Sequence, residues 1–230
     1  MTRTARPEKE IEAFKEYILD SALEIMAEYG LAGLTMRRLA ESIGTTATAI
    51  YRYYSGKDEI FLRVRERGFN IAYSEALDIF NRHRDPLERL RALTESVKTF
   101  AVREFHYYNI MLTWNVPMYP EFKGTPLEPV AFEVLQASTR LIEMYTGLME
   151  EIAVKYRLFP KREARLQFIF WLTELHGIVS LYGNSTIASL HGDPDRLVDI
   201  LIDRLLMHWK ANRKDGRKTL KRKSVSNKKI

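Results

Sequence analysis

The segment Thr35–Lys57, TMRRLAESIGTTATAIYRYYSGK, constrains the fold of this chain more than any other part. Its first half carries four apolar residues at helical spacing: Met36, Leu39, Ala40 and Ile43. Gly44 follows with the backbone freedom that a sharp turn needs, and Thr45 or Thr46 is placed to cap a second short helix. The pattern therefore predicts a helix-turn-helix, whose second helix is of a size to enter a DNA major groove.

The wider block from Ala27 to Phe61 resembles the TetR family of bacterial transcription regulators. The matching positions are Gly30, Leu34, Thr35, Leu39, Ala40, Ile43, Gly44, Tyr51, Tyr53, Tyr54 and Lys57. The rest of the chain matches this family only in its pattern of helices. Two positions depart from the family: Arg52 stands where many relatives carry histidine or tryptophan, and Thr48 where glycine, proline or alanine is common. Both change which bases can be contacted, so no operator sequence is carried over.

The resemblance implies a set of DNA-contacting side chains. It places Thr46, Ala47, Thr48, Tyr51 and Arg52 on the groove-facing side of the second short helix. Hydroxyl groups bond base edges, a methyl group contacts a thymine methyl, and an arginine bonds guanine or a phosphate. Thr35, Tyr53 and Lys57 are expected to hold the phosphate backbone. The competing interpretation is an ordinary helical hairpin with a solvated face, and Tyr54 is expected to pack against the first helix rather than touch DNA.

The charge of the chain is unevenly distributed. The formal net charge is +6, but residues 210–230 hold ten lysines and arginines against Asp215 alone. The remaining 26 basic and 29 acidic residues make 1–209 mildly acidic, so the high overall charge does not by itself indicate nucleic-acid binding. The basic tail either contacts DNA phosphates or is a solvated, disordered end.

Composition also limits the cellular compartments in which this protein is expected. The chain has no cysteine, which rules out disulfides and thiolate metal sites. The first thirty residues lack the apolar run of a signal peptide, and no stretch approaches 18 uninterrupted apolar residues. By elimination we expect a cytoplasmic protein without a membrane span.

Helix start and stop patterns recur along the whole chain. Capping residues followed by proline or an acid, such as Asp85-Pro86, Thr125-Pro126 and Asp193-Pro194, open helices. These patterns predict an all-α fold of about nine helices, with a three-helix N-terminal head and a larger helical body. We expect the first helix to end near Gly30 and Ser55 with Asp58 to cap the fourth. The predicted domains are 1–60 for DNA binding, 61–210 for ligand binding and dimerisation, and 211–230 as the basic, disordered tail.

Two further features of the predicted body indicate binding of partners. The aromatic and methionine-rich segment 105–114 suits a pocket for a small apolar or aromatic effector, although plain core packing explains the same pattern. The predicted ligand-binding residues are Tyr108, Met111, Trp114, Met144, Trp171, Glu174 and His176, of which Glu174 is expected to be buried among apolar neighbours. Helices 161–182 and 194–209 are apolar on too many sides for one chain, which predicts a homodimer through these helices.

The combined prediction is a homodimeric, ligand-responsive DNA-binding repressor acting on a near-palindromic operator. The alternative is a helical protein-interaction adaptor without sequence-specific DNA binding. An enzyme is the least favoured class, because the five histidines are scattered and neither a glycine-rich phosphate loop nor a nucleophile elbow is present. We predict neither a catalytic residue, nor a metal ligand, nor a cofactor.

Overall fold

The computed structural model describes residues 7–113 and 116–207, and every regular element within these ranges is helical. The α-helices are α1 (Glu8–Gly33), α2 (Met36–Ser42), α3 (Ala47–Ile50), α4 (Lys57–Arg82), α5 (Pro86–Arg103), α6 (Phe105–Tyr108), α7 (Tyr119–Phe122), α8 (Glu128–Tyr156), α9 (Ala164–Gly183), α10 (Thr186–Leu190) and α11 (194–207). A π-helical turn (Asn109–Thr113) follows α6, and a 3-10 turn (Lys161–Glu163) precedes α9. The all-α prediction is confirmed, and the predicted number of about nine helices roughly fits; α6, α7 and α10 are single turns of four or five residues.

Of the helix starts of α4, α5 and α11, two have the capping side chain that the sequence indicates. Asp85 Oδ1 accepts from the Leu87 amide (2.9 Å) at the start of α5. Asp193 Oδ1 accepts from the Arg196 amide (3.1 Å) at the start of α11. The expected pairing of Ser55 with Asp58 is wrong: the Ser55 amide and hydroxyl both donate to Glu59 Oε2 at 2.7 Å. Glu59 lies one position further into α4, where its carboxylate reaches back to Ser55.

The chain divides into two compact units. The first comprises the described parts of 1–71 and 104–139, and so contains α1–α3, the start of α4, α6, α7 and the start of α8. Gly30 adopts the non-helical angles φ 69° and ψ 178°, so the regular helical path of α1 breaks at the predicted end, and Leu31–Gly33 form a short continuation beyond the kink. A Cβ at Gly68 would lie 2.8 Å from Met111 Sδ and 2.9 Å from Tyr107 Cδ1. The close contact of α4 with the α6 segment therefore requires glycine at position 68.

The second unit comprises 72–103 and the described part of 140–230. Its core is built around Trp171, whose indole nitrogen donates to Thr94 Oγ1 at 3.0 Å. The Tyr145 ring lies 5.1 Å from the Trp171 ring and 5.7 Å from that of Phe168. These contacts fasten α9 to α5 and to the end of α8 through buried aromatic packing.

The predicted division into 1–60 and 61–210 stays a prediction, and the predicted tail 211–230 lies outside the described residues. Within 7–113 and 116–207, none of the helices has both the length and the apolar character needed to cross a bilayer.

Candidate nucleic-acid interface

The turn between α2 and α3 is built by two threonine caps and one glycine. Thr35 Oγ1 accepts from the Arg38 amide (3.1 Å), and Thr46 Oγ1 accepts from the Ala49 amide (3.2 Å). Gly44 adopts φ 65°, in the left-handed region that side chains disfavour. The predicted helix-turn-helix geometry is confirmed, with Thr46 rather than Thr45 as the cap.

The helical path of α3 continues for one more turn beyond its last regular residue. The Tyr51 amide donates to the Ala47 carbonyl at 3.0 Å, and the Tyr54 amide donates to the Ile50 carbonyl at 3.1 Å. Because a turn of this kind keeps the helical direction, the side chains of residues 46–52 project from one short rod. Ile50 is fully buried and fixes that rod against the rest of the unit.

Most of the predicted DNA-contacting residues are solvent-exposed. The exposed ones are Thr35, Thr46, Thr48, Tyr51, Arg52 and Lys57, and the half-buried ones are Ala47 and Tyr53. Tyr51 has 52% of its surface exposed, so its side chain is accessible to a partner. The individual DNA contacts stay predictions.

Adjacent tyrosines of this segment have opposite environments. Tyr54 is buried, and its hydroxyl donates to the Lys15 carbonyl of α1 at 3.3 Å, as predicted. Tyr53 packs edge-on against the Phe14 ring, with centroids 5.3 Å apart. Of these three, Tyr51 is the one classed as exposed. Tyr53 and Tyr54 therefore hold α3 on α1, and Tyr51 remains accessible to a partner.

The basic side chains around the turn differ in whether they have partners within the protein. Arg38 donates to the Gly33 carbonyl at 2.7 Å and stacks on the Tyr29 ring, which occupies its guanidinium. Arg52 and Lys57, by contrast, make no ion pair with any residue that the structure describes. Exposed cations without acidic partners next to a helix-turn-helix are suited to binding phosphate oxygens.

The predicted ligand-binding residues fall into both units. Tyr108 and Met111 are buried in the first unit, where burial raises the pKa of the Tyr108 hydroxyl. In the second unit Met144 and His176 are half-buried. Trp114 lies outside the described residues.

Two members of that set, Trp171 and Glu174, have opposite environments. Trp171 is fully buried and engaged by Thr94, Tyr145 and Phe168, which is the core-packing interpretation of its segment. The expected burial of Glu174 is wrong for the single chain, because its side chain is exposed on α9. Apolar neighbours in sequence do not determine which face of a helix is covered. The ligand-binding role of the set stays a prediction.

The predicted dimer helices carry exposed apolar side chains. On α9 these are Leu166, Ile169, Phe170 and Leu181, and on α11 they are Ile200 and Met207. Each has between 41% and 59% of its surface exposed. Residues 208 and 209, the end of the predicted dimer helix 194–209, lie outside the described residues.

Alternating arginines on α4 were not singled out by the sequence. Arg67 donates to Glu16 (2.6 Å) and Asp20 of α1 and to the Tyr107 hydroxyl of α6. Arg65, two residues earlier, is buried. The spacing of the arginines is visible in the sequence, but their acidic partners come from distant positions and only the fold brings them together.

Comparisons with known proteins agree with this geometry. The family model "Bacterial regulatory proteins, tetR family" matches residues 18–64, and "Tetracyclin repressor-like, C-terminal domain" matches residues 90–205. The HTH-type transcriptional repressor AcnR of Corynebacterium jeikeium is 44% identical over 50 residues, which cover 22% of this chain and 26% of AcnR. The HTH-type transcriptional regulator Rv1816 of Mycobacterium tuberculosis is 28% identical over 129 residues, which cover 52% of this chain and 53% of Rv1816. The chain thus spans about a quarter to half the length of these curated relatives.

A solved structure shows the same fold over nearly the whole chain. The structure of a protein with unknown function from Rhodococcus sp. RHA1 superposes with a TM-score of 0.68 at 16% identity, covering 92% of this chain and 98% of that chain. At this identity the likeness concerns the fold alone.

Proposed function

Because this chain belongs to the TetR family of bacterial regulatory proteins, we propose that it is a DNA-binding transcriptional repressor released by a small effector. It acts as a homodimer on a near-palindromic operator. AcnR, which is similar to its N-terminal segment, is itself a transcriptional repressor. We propose a cytoplasmic location, because a regulator has to reach the bacterial chromosome. The helical-adaptor alternative is less favoured, since it gives no reason for the matched helix-turn-helix.

One observation carries the proposal of DNA binding. The α3 rod exposes polar side chains to solvent, and two exposed cations in and just after it, Arg52 and Lys57, make no ion pair with a described residue. Thr46, Thr48 and Tyr51 present hydroxyl groups to solvent. Hydroxyl groups of this kind bond base edges or phosphates. Arg52 and Lys57 provide positive charge next to them. We assign base contacts to Thr46, Ala47, Thr48, Tyr51 and Arg52, and backbone contacts to Thr35, Tyr53 and Lys57.

The homodimer is supported by the uncovered apolar side chains of α9 and α11. Phe170 has 52% and Ile169 has 44% of its surface exposed, on a helix that carries few charged residues. Contiguous apolar surface of this kind marks an interface. A two-fold axis through α9 and α11 would cover the same stripe on both subunits. A near-palindromic operator would offer the two α3 rods of such a dimer successive major-groove faces, about 34–36 Å apart or a multiple of that distance.

The effector is proposed to bind in the body. The candidate contacts are Tyr108 and Met111 in the first unit, and Met144, Trp171, Glu174 and His176 in the second. A ligand releases DNA only if it binds the non-binding conformation more tightly than the operator-bound one. Through that difference in affinity, the effector would favour a dimer whose two DNA-binding heads are spaced wrongly for the operator, and the DNA would be released.

The test is selection of genomic DNA fragments by the purified full chain, followed by affinity measurements on the enriched fragment at several salt concentrations. We expect one enriched near-palindrome, and an affinity that falls steeply with salt because phosphate contacts release counterions. Enrichment of no sequence, with an affinity independent of salt, would favour the protein-interaction adaptor instead.

A further inference from the structure

Three arginines at alternate positions of α4 differ in their partners. Arg63 donates to Glu66 at 2.8 Å and also to Glu133 of α8. Arg67 is bound by two carboxylates of α1. Arg65, between them, makes no ion pair with any carboxylate in the part of the chain that the structure describes. All three lie in the first unit, so the contrast does not depend on the second.

The Arg65 guanidinium is buried with incomplete hydrogen bonding. Only 7% of the residue is exposed. Nη2 lies 3.3 Å from the Met118 sulfur, and Nη1 lies 3.5 Å from the Pro117 carbonyl. Nε is buried without any acceptor. A thioether is a weak acceptor and 3.5 Å is a long hydrogen bond, so most of the donor capacity of this group is unused by residues 7–113 and 116–207.

The charge of Arg65 nevertheless persists. Burial lowers the pKa of the guanidinium, but an arginine starts so high that it stays protonated at neutral pH. The Phe69 ring, 5.7 Å from Cζ, offers only a cation–π contact. A buried cation without a counter-anion is strongly unfavourable, and binding of an anion would relieve it.

We propose that Arg65 binds the carboxylate of an otherwise apolar effector. This assignment rests on the proposed function and gives the effector a chemical class. The planar donors of a guanidinium match the two oxygens of a carboxylate. The remaining contacts of Arg65, which are the Phe69 ring, Pro117 and Met118, suit an apolar body attached to that carboxylate.

The charge balance selects a monoanion over a phosphate dianion. Arg63 and Arg67 each pair with two carboxylates, so the three arginines and these four carboxylates sum to −1. These surroundings disfavour the second negative charge of a phosphate dianion, whereas Arg65 itself has no carboxylate among the described residues and can accept one. A DNA phosphate is excluded as the partner, since a residue that is 7% exposed cannot reach the backbone of a duplex. The carboxylate oxygens would replace Met118 and Pro117 as acceptors and would supply one for Nε.

The experiment compares the full chain with the variants Arg65→Met and Arg65→Lys, using acetate and decanoate as probes and decanol as the uncharged counterpart. Arg82→Met, which loses only an exposed ion pair with Asp78, is the matched control. The readouts are Tm in acetate against chloride at equal ionic strength, and the Kd of decanoate and decanol by calorimetry. None of these readouts requires DNA.

We expect acetate to raise the Tm of the unsubstituted protein above its value in chloride, and decanoate to bind at least about tenfold more tightly than decanol. Both differences should disappear in Arg65→Met and remain in Arg82→Met. Without ligand, Arg65→Met should melt at the same temperature as the unsubstituted protein or higher. Arg65→Lys keeps the charge and should keep part of the acetate response.

Three results would overturn the proposal: no response of the unsubstituted protein to acetate or decanoate, responses unchanged in Arg65→Met, or a Tm of ligand-free Arg65→Met several degrees lower. The last would show that Arg65 is a structural group. Gel shifts on the selected operator separate this from the regulatory function. If Arg65→Met binds operator normally, the DNA-binding function stands whatever the probes show. If the unsubstituted protein binds no DNA but shows Arg65-dependent decanoate binding, only the regulatory function fails.

Discussion

The hydroxyl of Tyr54 donates to the main-chain carbonyl of Lys15 at 3.3 Å, which ties the turn after α3 to the middle of α1. Burial raises the pKa of that hydroxyl, so it remains protonated and keeps donating throughout the neutral range. Three residues earlier, Tyr51 is half-exposed. The same residue type thus serves packing at one position and is free for a partner at the other.

Removing the Tyr54 hydroxyl should affect stability alone. Tyr54→Phe keeps the ring in place and loses one partly buried hydrogen bond, so the free energy of unfolding should fall by about 0.5–1 kcal/mol. Urea unfolding measures this, with Tyr51→Phe as the control that leaves stability unchanged. A loss of operator affinity in Tyr54→Phe with unaltered stability would show that this hydroxyl faces DNA.

The hydrogen bond between Trp171 and Thr94 should prove structural. Thr94→Val keeps the shape of the side chain but leaves the buried indole N–H without its acceptor. The free energy of unfolding should therefore drop by about 1–3 kcal/mol. Thr99→Val, at an exposed position of the same helix, should change it by less than about 0.5 kcal/mol. Equal effects of the two substitutions would show that the hydrogen bond between Trp171 and Thr94 does not contribute to the free energy of unfolding.

The Asp85 cap should make stability depend on pH. Partial burial alone would raise the pKa of its carboxyl, but hydrogen bonds from Lys155, Tyr156 and two amides of α5 outweigh burial and hold that pKa well below its ordinary value. A depressed carboxyl pKa means that the stabilisation is present above about pH 4 and is lost as the pH falls further.

Asp85→Asn keeps a capping side chain but removes the negative charge paired with Lys155 at the start of α5, so it should lower the free energy of unfolding by about 1 kcal/mol at pH 7. The difference from the unsubstituted protein should shrink steadily below about pH 4. Urea unfolding at pH 7, 4 and 3 measures it, with the exposed Asp203→Asn as the control. A difference that stays constant over this range would remove the Asp85 carboxylate from the pH dependence.

A charge placed on the apolar stripe should separate the subunits. Phe170→Asp puts a carboxylate in the proposed α9 interface, where exposed aromatic side chains contribute most to association. Sedimentation should show a dimer for the unsubstituted protein and a monomer for this variant. Val154→Asp replaces an even more exposed residue, 65% accessible, on α8 and should stay dimeric. A dimeric Phe170→Asp would place the interface elsewhere.

The sequence predicts best those features that depend on neighbouring residues. The caps Thr35, Thr46 and Asp85 follow from local pattern, and each is found at its helix start. The Tyr54 contact with α1 follows from the family resemblance, because the spacing of that block is retained. Even local chemistry has limits, as the choice of Glu59 over Asp58 by Ser55 shows.

Features that depend on tertiary contacts could not be predicted in this way. Glu174 lies in an apolar run and yet is exposed. Its exposure could not be predicted, because periodicity indicates that a helix has a covered side but not what covers it. Arg65 and Arg67 look alike in sequence. Only the fold gives Arg67 two carboxylates of α1 and leaves Arg65 among Phe69, Pro117 and Met118.

The most direct test of the central claim is the affinity of the full chain for its selected operator in gel shifts, comparing Tyr51→Ala and Lys57→Ala with Tyr54→Phe. We predict that Tyr51→Ala and Lys57→Ala bind at least about tenfold more weakly, that Lys57→Ala also lowers the salt slope by about 1, and that both keep the dimer and its stability. Tyr54→Phe should bind like the unsubstituted protein. Unchanged affinity in both Tyr51→Ala and Lys57→Ala would contradict the assignment of the α3 rod as the DNA-binding surface.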